Sequence, residues 1–342
     1  MTTTRAGARA ATGSLLGLAL GDALGFPTEF DDVPSILARY GPWRERELPG
    51  RALVSDDTQM TLALGRALRT AMEPGPGTLA PERLERPLRE EFVSWYRSPE
   101  NDRAPGRTCL TACALLQDEE RPWQQAGQVG SKGCGANMRV APIGLAPGLS
   151  DEQRAGAAQL QSALTHAHPT ALAASDLTAR AVHLLARGAA PDGLVAQLRS
   201  YAHDHRTHYH HDWLGDLWTR AQDPGPEHYI ARGWDECLRI LDRLQEALRT
   251  VSPETDPCLA TGEGWIAEEA FATGLLCFLL FPDAPVTALR RAACSRGDSD
   301  SIACLTGAFA GARLGADAWP ANWTDRIEHR AELLELGAPW DA

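Results

Sequence analysis

The sequence has no excess of basic residues. Its 33 lysines and arginines stand against 45 aspartates and glutamates, a net charge of −12, which argues against a broad nucleic-acid or anionic-membrane surface. It has no CxxC pair and no disulfide-framework spacing among its eight cysteines. Several of these, such as Cys277 and Cys304, fall inside apolar runs where a reduced thiol behaves as a small hydrophobe. That usage fits the cytoplasm. No apolar run is long enough to cross a bilayer: Ser14 to Leu20 stops at Gly21-Asp22, without a clear cleavage site. The β-formers Ile, Val, Phe and Tyr are scarce. The apolar content is mostly Ala and Leu, which favours helices over sheets. No internal repeat or low-complexity linker stands out.

Against that background, Ser55-Asp56-Asp57-Thr58 is conspicuous. Two carboxylates sit between two hydroxyls, immediately before an apolar pattern (Met60, Ala63, Leu64, Ala67, Leu68) of helical period. The tetrad therefore lies at a helix start, with Ser55 as N-cap. Taken alone it reads as a cap. A second acidic cluster, Asp298-Ser299-Asp300-Ser301, precedes another helical pattern (Ile302, Leu305, Ala308, Phe309, Ala312). On a regular helix Asp298 and Asp300 would diverge by about 200°, so an irregular turn is needed for both to face one point. Two such clusters offer the oxygen-rich donors that hard divalent cations prefer, and six-coordination completed by water makes a binuclear site feasible.

The two clusters lie near opposite ends of the chain, so a shared site requires one large domain closed on itself. Glycines at 13, 17, 21 and 25 fall on one face of a helix, and Gly307, Gly311 and Gly315 form a similar stripe. Each glycine costs a helix roughly 1 kcal/mol against alanine. A close backbone contact must offset that, so both helices are expected to be central and packed against each other. Residues 1–12 read as a flexible lead-in and 13–342 as the domain. Arg83 to Arg97 reads as an amphipathic helix, and another helix starts near Thr108. A capping box at Ser150 and Gln153 opens a third, and a fourth follows Pro169 and stops at Gly188. Residues 201–232 are histidine-rich (His203, His205, His208, His210, His211). Their spacing matches no compact Cys/His framework and no cysteine lies close. The segment is expected to be a surface insertion, dispensable for metal binding at the acidic site.

Five motifs in order identify a family. They are Gly17-Leu-Ala-Leu-Gly21-Asp22-Ala-Leu-Gly25 followed by Glu29; Ser55-Asp56-Asp57-Thr58; Gly133-Cys-Gly-Ala-Asn-Met-Arg139-Val-Ala-Pro142; Thr165-His166; and Gly297-Asp-Ser-Asp-Ser-Ile302. Together they closely resemble the ADP-ribosylglycohydrolases, the family of the dinitrogenase-reductase-activating glycohydrolase and related ADP-ribosylhydrolases. The resemblance implies an all-α, compact, single-domain fold with a binuclear Mg²⁺ or Mn²⁺ site at the base of an ADP-ribose cleft. The metal ligands it implies are Ser55, Asp56, Asp57, Asp298, Asp300 and Ser301, with Glu29 as catalytic residue beside them. Gly106, Gly133, Cys134, Gly135, Met138 and His166 would bind substrate, the 133–135 turn through backbone N–H groups on the diphosphate. Arg139 would serve either a phosphate or an internal ion pair.

The implied reaction is metal-dependent hydrolysis of the bond between C1″ of the distal ribose and an acceptor, releasing ADP-ribose. A non-catalytic ADP-ribose-binding relative and a binuclear phosphoesterase acting on nucleotides are the alternatives. Ala104 stands where several arginine-acting relatives carry aspartate. The acceptor therefore stays open among arginine, serine, a nucleic-acid base and a small ester, as does the choice of Mg²⁺ or Mn²⁺.

Overall fold

Helix Ser299–Leu314 is buried on every side from Ser299 to Ala312. A helix wetted on no face must be wrapped by others. In the computed structural model it packs against helices Ala10–Gly25, Pro169–Ala186, Ala267–Leu280 and Pro285–Ala293. The structure describes residues 9–341 other than 74 and 76. Among them there are α-helices, short 3₁₀ turns and three isolated bridges, with no strand. One hydrophobic core runs from Ala11 to Leu336, with a small satellite of Ile36, Trp43 and Cys294. The all-α, single-domain expectation holds.

The glycine stripes explain the central pair. A Cβ built on Gly17 would lie 2.3 Å from Gly307 O. One on Gly21 would lie 2.0 Å from Ala303 O, and one on Gly25 would lie 2.4 Å from Asp300 Cα. From the other side, a Cβ on Gly311 would meet Gly13 O at 2.0 Å. The two backbones are in direct contact, leaving no room for side chains between them. Polar contacts lock the register: Ser14 Oγ donates to Ala308 O, and Ser299 Oγ donates to Gly25 O. The end of the first helix thus lies against the start of the last long one, where the second acidic cluster sits.

Local signals set the other elements. Ser55 caps helix Asp56–Ala71 by accepting from Asp57 N–H at 3.3 Å. Both hydrogen bonds of the Ser150/Gln153 capping box are present at the start of helix Asp151–Ala163. The Pro169 helix ends at Ala186, and Gly188 follows with φ +85°.

Two boundaries differ from the sequence expectation. The first helix begins at Ala10, so residues 10–12 of the expected lead-in are helical, with Ala11 and Thr12 buried; residues 1–8 lie outside the described residues. The 201–232 segment is not confined to the surface. Tyr209, Trp213, Leu214, Leu217, Tyr229 and Ile230 are buried in the main core, and the boundary at 232 cuts through the long helix Pro226–Thr250. Its apolar residues sit between histidines, which hid their inward face.

Replacing a helical glycine by alanine ordinarily gains up to about 1 kcal/mol. At Gly21 the added methyl meets a backbone carbonyl instead, and overpacking of that kind costs about 1–3 kcal/mol or more. Gly21→Ala is therefore expected to lower the urea midpoint. Gly50→Ala, where nothing lies within 4 Å of the added carbon, should leave it unchanged. A Gly21→Ala protein as stable as the parent would refute the close-contact account.

Candidate active site

The two helix starts that the sequence singles out meet. Asp56 and Asp57 open helix Asp56–Ala71, while Asp298 caps helix Ser299–Leu314 with non-helical φ −77° and ψ 67°, after Gly297 at φ +81°. That turn is the irregularity the Asp298/Asp300 spacing requires. Ser301 N–H lies 3.4 Å from Asp298 Oδ1 and 3.0 Å from Asp300 Oδ1, so the cluster folds over its own helix N-terminus. Glu29 arrives from the 3₁₀ turn Phe26–Thr28 that follows the first helix. Carboxylate oxygens of Glu29, Asp298 and Asp300 lie within 4.8 Å of one another and form a group able to hold a metal ion.

Asp22 joins these acids, and its role was not legible from its place in the glycine-rich motif. It is fully buried and accepts from Ser55 N–H (2.9 Å), Thr58 N–H (3.1 Å) and the Thr58 hydroxyl. It therefore ties the first helix to the N-terminus of the Asp57 helix. The signal for it was its position one helical turn from Gly25 on a helix whose apolar residues leave no solvent face.

The electrostatics are severe. Burial, then the Asp300 charge, pushes Asp22 up to about 7. The same causes, with Asp56 and Asp22 added, push Glu29 up to about 9. Asp56, Asp57 and Asp298 are held well above the ordinary carboxylate range by burial and then by Asp300, and burial raises Asp300 as well. Among the described residues, no lysine or arginine forms an ion pair with any of the six. Asp57 Oδ2 and Glu29 Oε2 are buried without a hydrogen-bond partner. Six carboxyl groups in so small a volume cannot all ionise unless a cation joins them. An all-oxygen donor set with orphaned carboxylate oxygens fits a hard divalent cation.

The remaining expected residues line the same region from three loops. Gly106 N–H points at Asp56 Oδ2 from 3.4 Å, and the space beside its Cα is open. The Gly133–Gly135 turn lies on the buried His166 ring. A Cβ on Gly133 would be 3.3 Å from His166 Nε2, and one on Gly135 would be 2.9 Å from His166 Cε1. Side chains there would displace the imidazole. The Cys134 N–H is spent on Trp265 O at 3.1 Å and is thus unavailable to a ligand. Met138 is buried, with its sulfur 3.8 Å from Ser301 Oγ, so it supports the second cluster from behind.

His166 is oriented by a buried relay. Arg139 donates to Gln161 Oε1, Gln161 O and Thr165 Oγ1, each at 2.8 Å, and stacks over Phe92. It is fully buried with these donors spent on neutral oxygens, and it has no acidic partner among the described residues, which corrects the ion-pair reading and leaves the side chain turned away from any solvent-borne phosphate. Thr165 Oγ1 lies 2.9 Å from His166 Nδ1. The Thr165 hydroxyl has two acceptors in reach, that nitrogen and Ser162 O at 3.4 Å, and donation to the nearer one leaves the imidazole proton on Nε2, facing the glycine turn. Burial, then the Arg139 charge, holds the ring down at about 3, so it is neutral. Lys132, the only lysine of the chain, bridges Glu236 and Glu268 and so fixes the loop just before Gly133.

Beside Glu29, Phe30 (φ +70°) is exposed and stacks on Trp265, with ring centroids 5.3 Å apart. Nothing in the sequence pattern announced this pair.

The chain matches the family model for ADP-ribosylglycohydrolase over residues 2–340. It is 26% identical to the ADP-ribosyl-[dinitrogen reductase] glycohydrolase of Rhodospirillum rubrum, an alignment covering 94% of this chain and 91% of that protein. It is 29% identical to ADP-ribosylhydrolase ARH3 of Mus musculus, over 92% and 86% of the two chains. A solved structure described as an ADP-ribosylglycohydrolase-related protein complex superposes with a TM-score of 0.65 at 23% identity, covering 99% of both chains, which shows the shared fold.

Removing the Asp22 carboxylate would strand two buried N–H groups and a hydroxyl, each worth about 1–3 kcal/mol when left unsatisfied. It would also relieve repulsion with Asp300, an opposing effect that saturating Mg²⁺ suppresses. In saturating Mg²⁺, Asp22→Ala is therefore expected to lose at least about 2 kcal/mol of stability in urea denaturation. An unchanged midpoint would show that Asp22 does not hold the two helices together.

Proposed function

The chain belongs to the ADP-ribosylglycohydrolase family, and from that premise we propose how its acidic cleft carries out the family's reaction. The protein is a hydrolase that removes ADP-ribose from a modified acceptor. The observation that carries the site assignment is the convergence of six carboxyl groups, five buried and Glu29 partly so, with no basic partner among the described residues and three of them within 4.8 Å of one another.

Ser55, Asp56, Asp57, Asp298, Asp300 and Ser301 would hold two Mg²⁺ or Mn²⁺ ions. When bound, these supply positive charge that orients the distal ribose hydroxyls and polarises the site. Gly106 closes the acidic wall beside Asp56. Gly133 and Gly135 admit the diphosphate close to the backbone, and the Nε2–H of His166 donates toward it. Cys134 and Met138 shape that wall from behind.

The bond to C1″ breaks through an oxocarbenium-like transition state, as in glycoside hydrolysis. The oxygen of a water molecule bonds to C1″, the bond from C1″ to the acceptor breaks, and the electron pair leaves with the acceptor. Glu29 takes a proton from the water and passes one to the departing group. Burial and the neighbouring acids raise its proton affinity in the ion-free cluster; with the neighbours' charge offset by bound cations, Glu29 would be ionised and able to accept that proton. A second reading makes Glu29 a metal ligand, favoured by its place beside Asp298 and Asp300. We assign the protein to the cytoplasm, since its eight buried free thiols suit a reducing compartment.

Mass spectrometry should find free ADP-ribose as the product. A phosphate-ester fragment, or no product, would overturn the reading. A panel of substrates of defined linkage then identifies the acceptor. Exhaustive EDTA treatment or Asp300→Ala should abolish turnover, and full activity without divalent cations would exclude the binuclear mechanism.

Glu29→Gln keeps the size of the side chain but removes its basic oxygen. It should bind ADP-ribose and metal with little loss and cleave at least about a hundred-fold more slowly in single turnover. Loss of metal binding along with rate would make Glu29 a ligand. A rate near that of the parent would remove it from the reaction.

A further inference from the structure

The histidine-rich segment gains by folding what it lacks in sequence. Glu152, in the first turn of helix Asp151–Ala163, is brought against His208 and His210. Glu152 Oε1 lies 2.6 Å from His210 Nδ1 and 3.4 Å from His208 Nε2, and the two imidazoles stand 4.5 Å apart, nearly perpendicular. One donor atom from each residue falls within 4.8 Å of the other two. We propose that Glu152, His208 and His210 form a second metal site, specific for a zinc-class transition ion and separate from the acidic cleft.

Three observations carry this. The first is donor chemistry. Two imidazoles and one carboxylate suit Zn²⁺, Co²⁺, Ni²⁺ or Cu²⁺, whereas the all-oxygen cleft suits Mg²⁺ or Mn²⁺. Zinc sites with three protein ligands take water in the remaining position. With zinc–donor bonds of about 2.0–2.1 Å, tetrahedral donors stand about 3.4 Å apart. The His208–Glu152 separation already has that value, and the His210–Glu152 pair needs to open by under about 1 Å.

The second is the state of His210. Its side chain is fully buried and its Nε2 has no hydrogen-bond partner. Among the described residues Glu152 is thus the one polar partner the ring has, through Nδ1, the nitrogen that would take the ion.

The third is preorganisation. Trp213, three residues on, seats against Gly156, one turn along the helix that carries Glu152. A Cβ on Gly156 would lie 2.3 Å from the indole. Tyr209 is buried and its hydroxyl donates to Gly215 O. The loop is pinned on both sides of His210 before any ion arrives, and only His208 and Glu152, each about half exposed, must settle around the ion.

The test uses full-length protein stripped of metal and then saturated with Mg²⁺. Titration with Zn²⁺ by calorimetry should show one further equivalent bound. Co²⁺ in its place should give the visible absorption of a tetrahedral nitrogen–oxygen site. His208→Ala and Glu152→Gln should each weaken zinc binding by at least about tenfold, the scale of effects at metal-supporting residues, and keep the parent's circular dichroism and Mg²⁺-dependent turnover. Absence of a further equivalent, or zinc affinity unchanged in both variants, overturns the proposal. So does zinc that survives in His208→Ala and is lost in Asp300→Ala, since that ion would belong to the cleft.

Discussion

Backbone contact between helices Ala10–Gly25 and Ser299–Leu314 is the constraint on which the site depends. Each glycine on the shared face weakens its own helix by roughly 1 kcal/mol, yet a methyl group at Gly17 or Gly21 would sit inside a carbonyl's contact distance. Only close approach makes four such glycines tolerable. It puts Gly25 against Asp300 and Thr28 against Ser299, so that Glu29, one residue on, emerges beside the second acidic cluster. Residues separated by about 270 positions are thereby held by backbone geometry rather than by adaptable side chains. Arg46 seals the junction from the far side, reaching Leu24 O, Thr28 and Ala293 O.

That rigidity has an electrostatic consequence. Asp22, Asp56, Asp57, Asp298 and Asp300 are buried, and the helix contact does not let them move apart. Helix N-termini relieve part of the repulsion: Asp22 accepts at the start of one helix, and Asp298 and Asp300 accept at the start of another. The rest must be met by bound protons or bound cations. A cation that binds the assembled cluster and not the unfolded chain would accordingly stabilise the fold. The pairing of strong tertiary constraint with unmet charge marks a site selected for binding rather than for stability.

How far the sequence revealed this depended on the range of the signal. Local signals were legible: the Ser55 cap, the Ser150 capping box, the stop at Gly188 and the turn needed between Asp298 and Asp300 all follow from residues a few positions apart. The glycine stripes were legible because a period of four has a physical price in a helix, and two stripes imply a partner. Long-range partnerships were not. Asp22 sat inside a motif whose glycines dominated its reading. Arg139, read as a phosphate or ion-pair residue, turned out to bond neutral oxygens of Gln161 and Thr165, which no spacing encodes. Residues 201–232 misled for the same reason. Their polar histidines dominate the composition, while Tyr209, Trp213 and Leu217 point into the core, and Glu152 belongs to a helix more than fifty residues earlier.

The two loops above the acids differ in how firmly they are held, and the difference bears on what each contacts. The Gly133–Gly135 turn rests on a neutral, buried imidazole whose orientation descends through Thr165 from Arg139, and Lys132 clamps its approach between Glu236 and Glu268. Such a surface has little freedom to change shape. Glu29 stands between Thr28, anchored at Gly25 O and Ala293 O, and Phe30, which is 70% exposed in a left-handed conformation rarely adopted by aromatic residues. The stack of Phe30 on Trp265 is the visible link from the Glu29 loop to the glycine turn, because Trp265 O receives the Cys134 N–H. A stack of that kind is worth about 0.5–1.5 kcal/mol, little enough for an incoming group to displace. The glycine-turn side of the acidic cluster is thus built to a fixed shape, and the Glu29–Phe30 side is held by a contact weak enough to give.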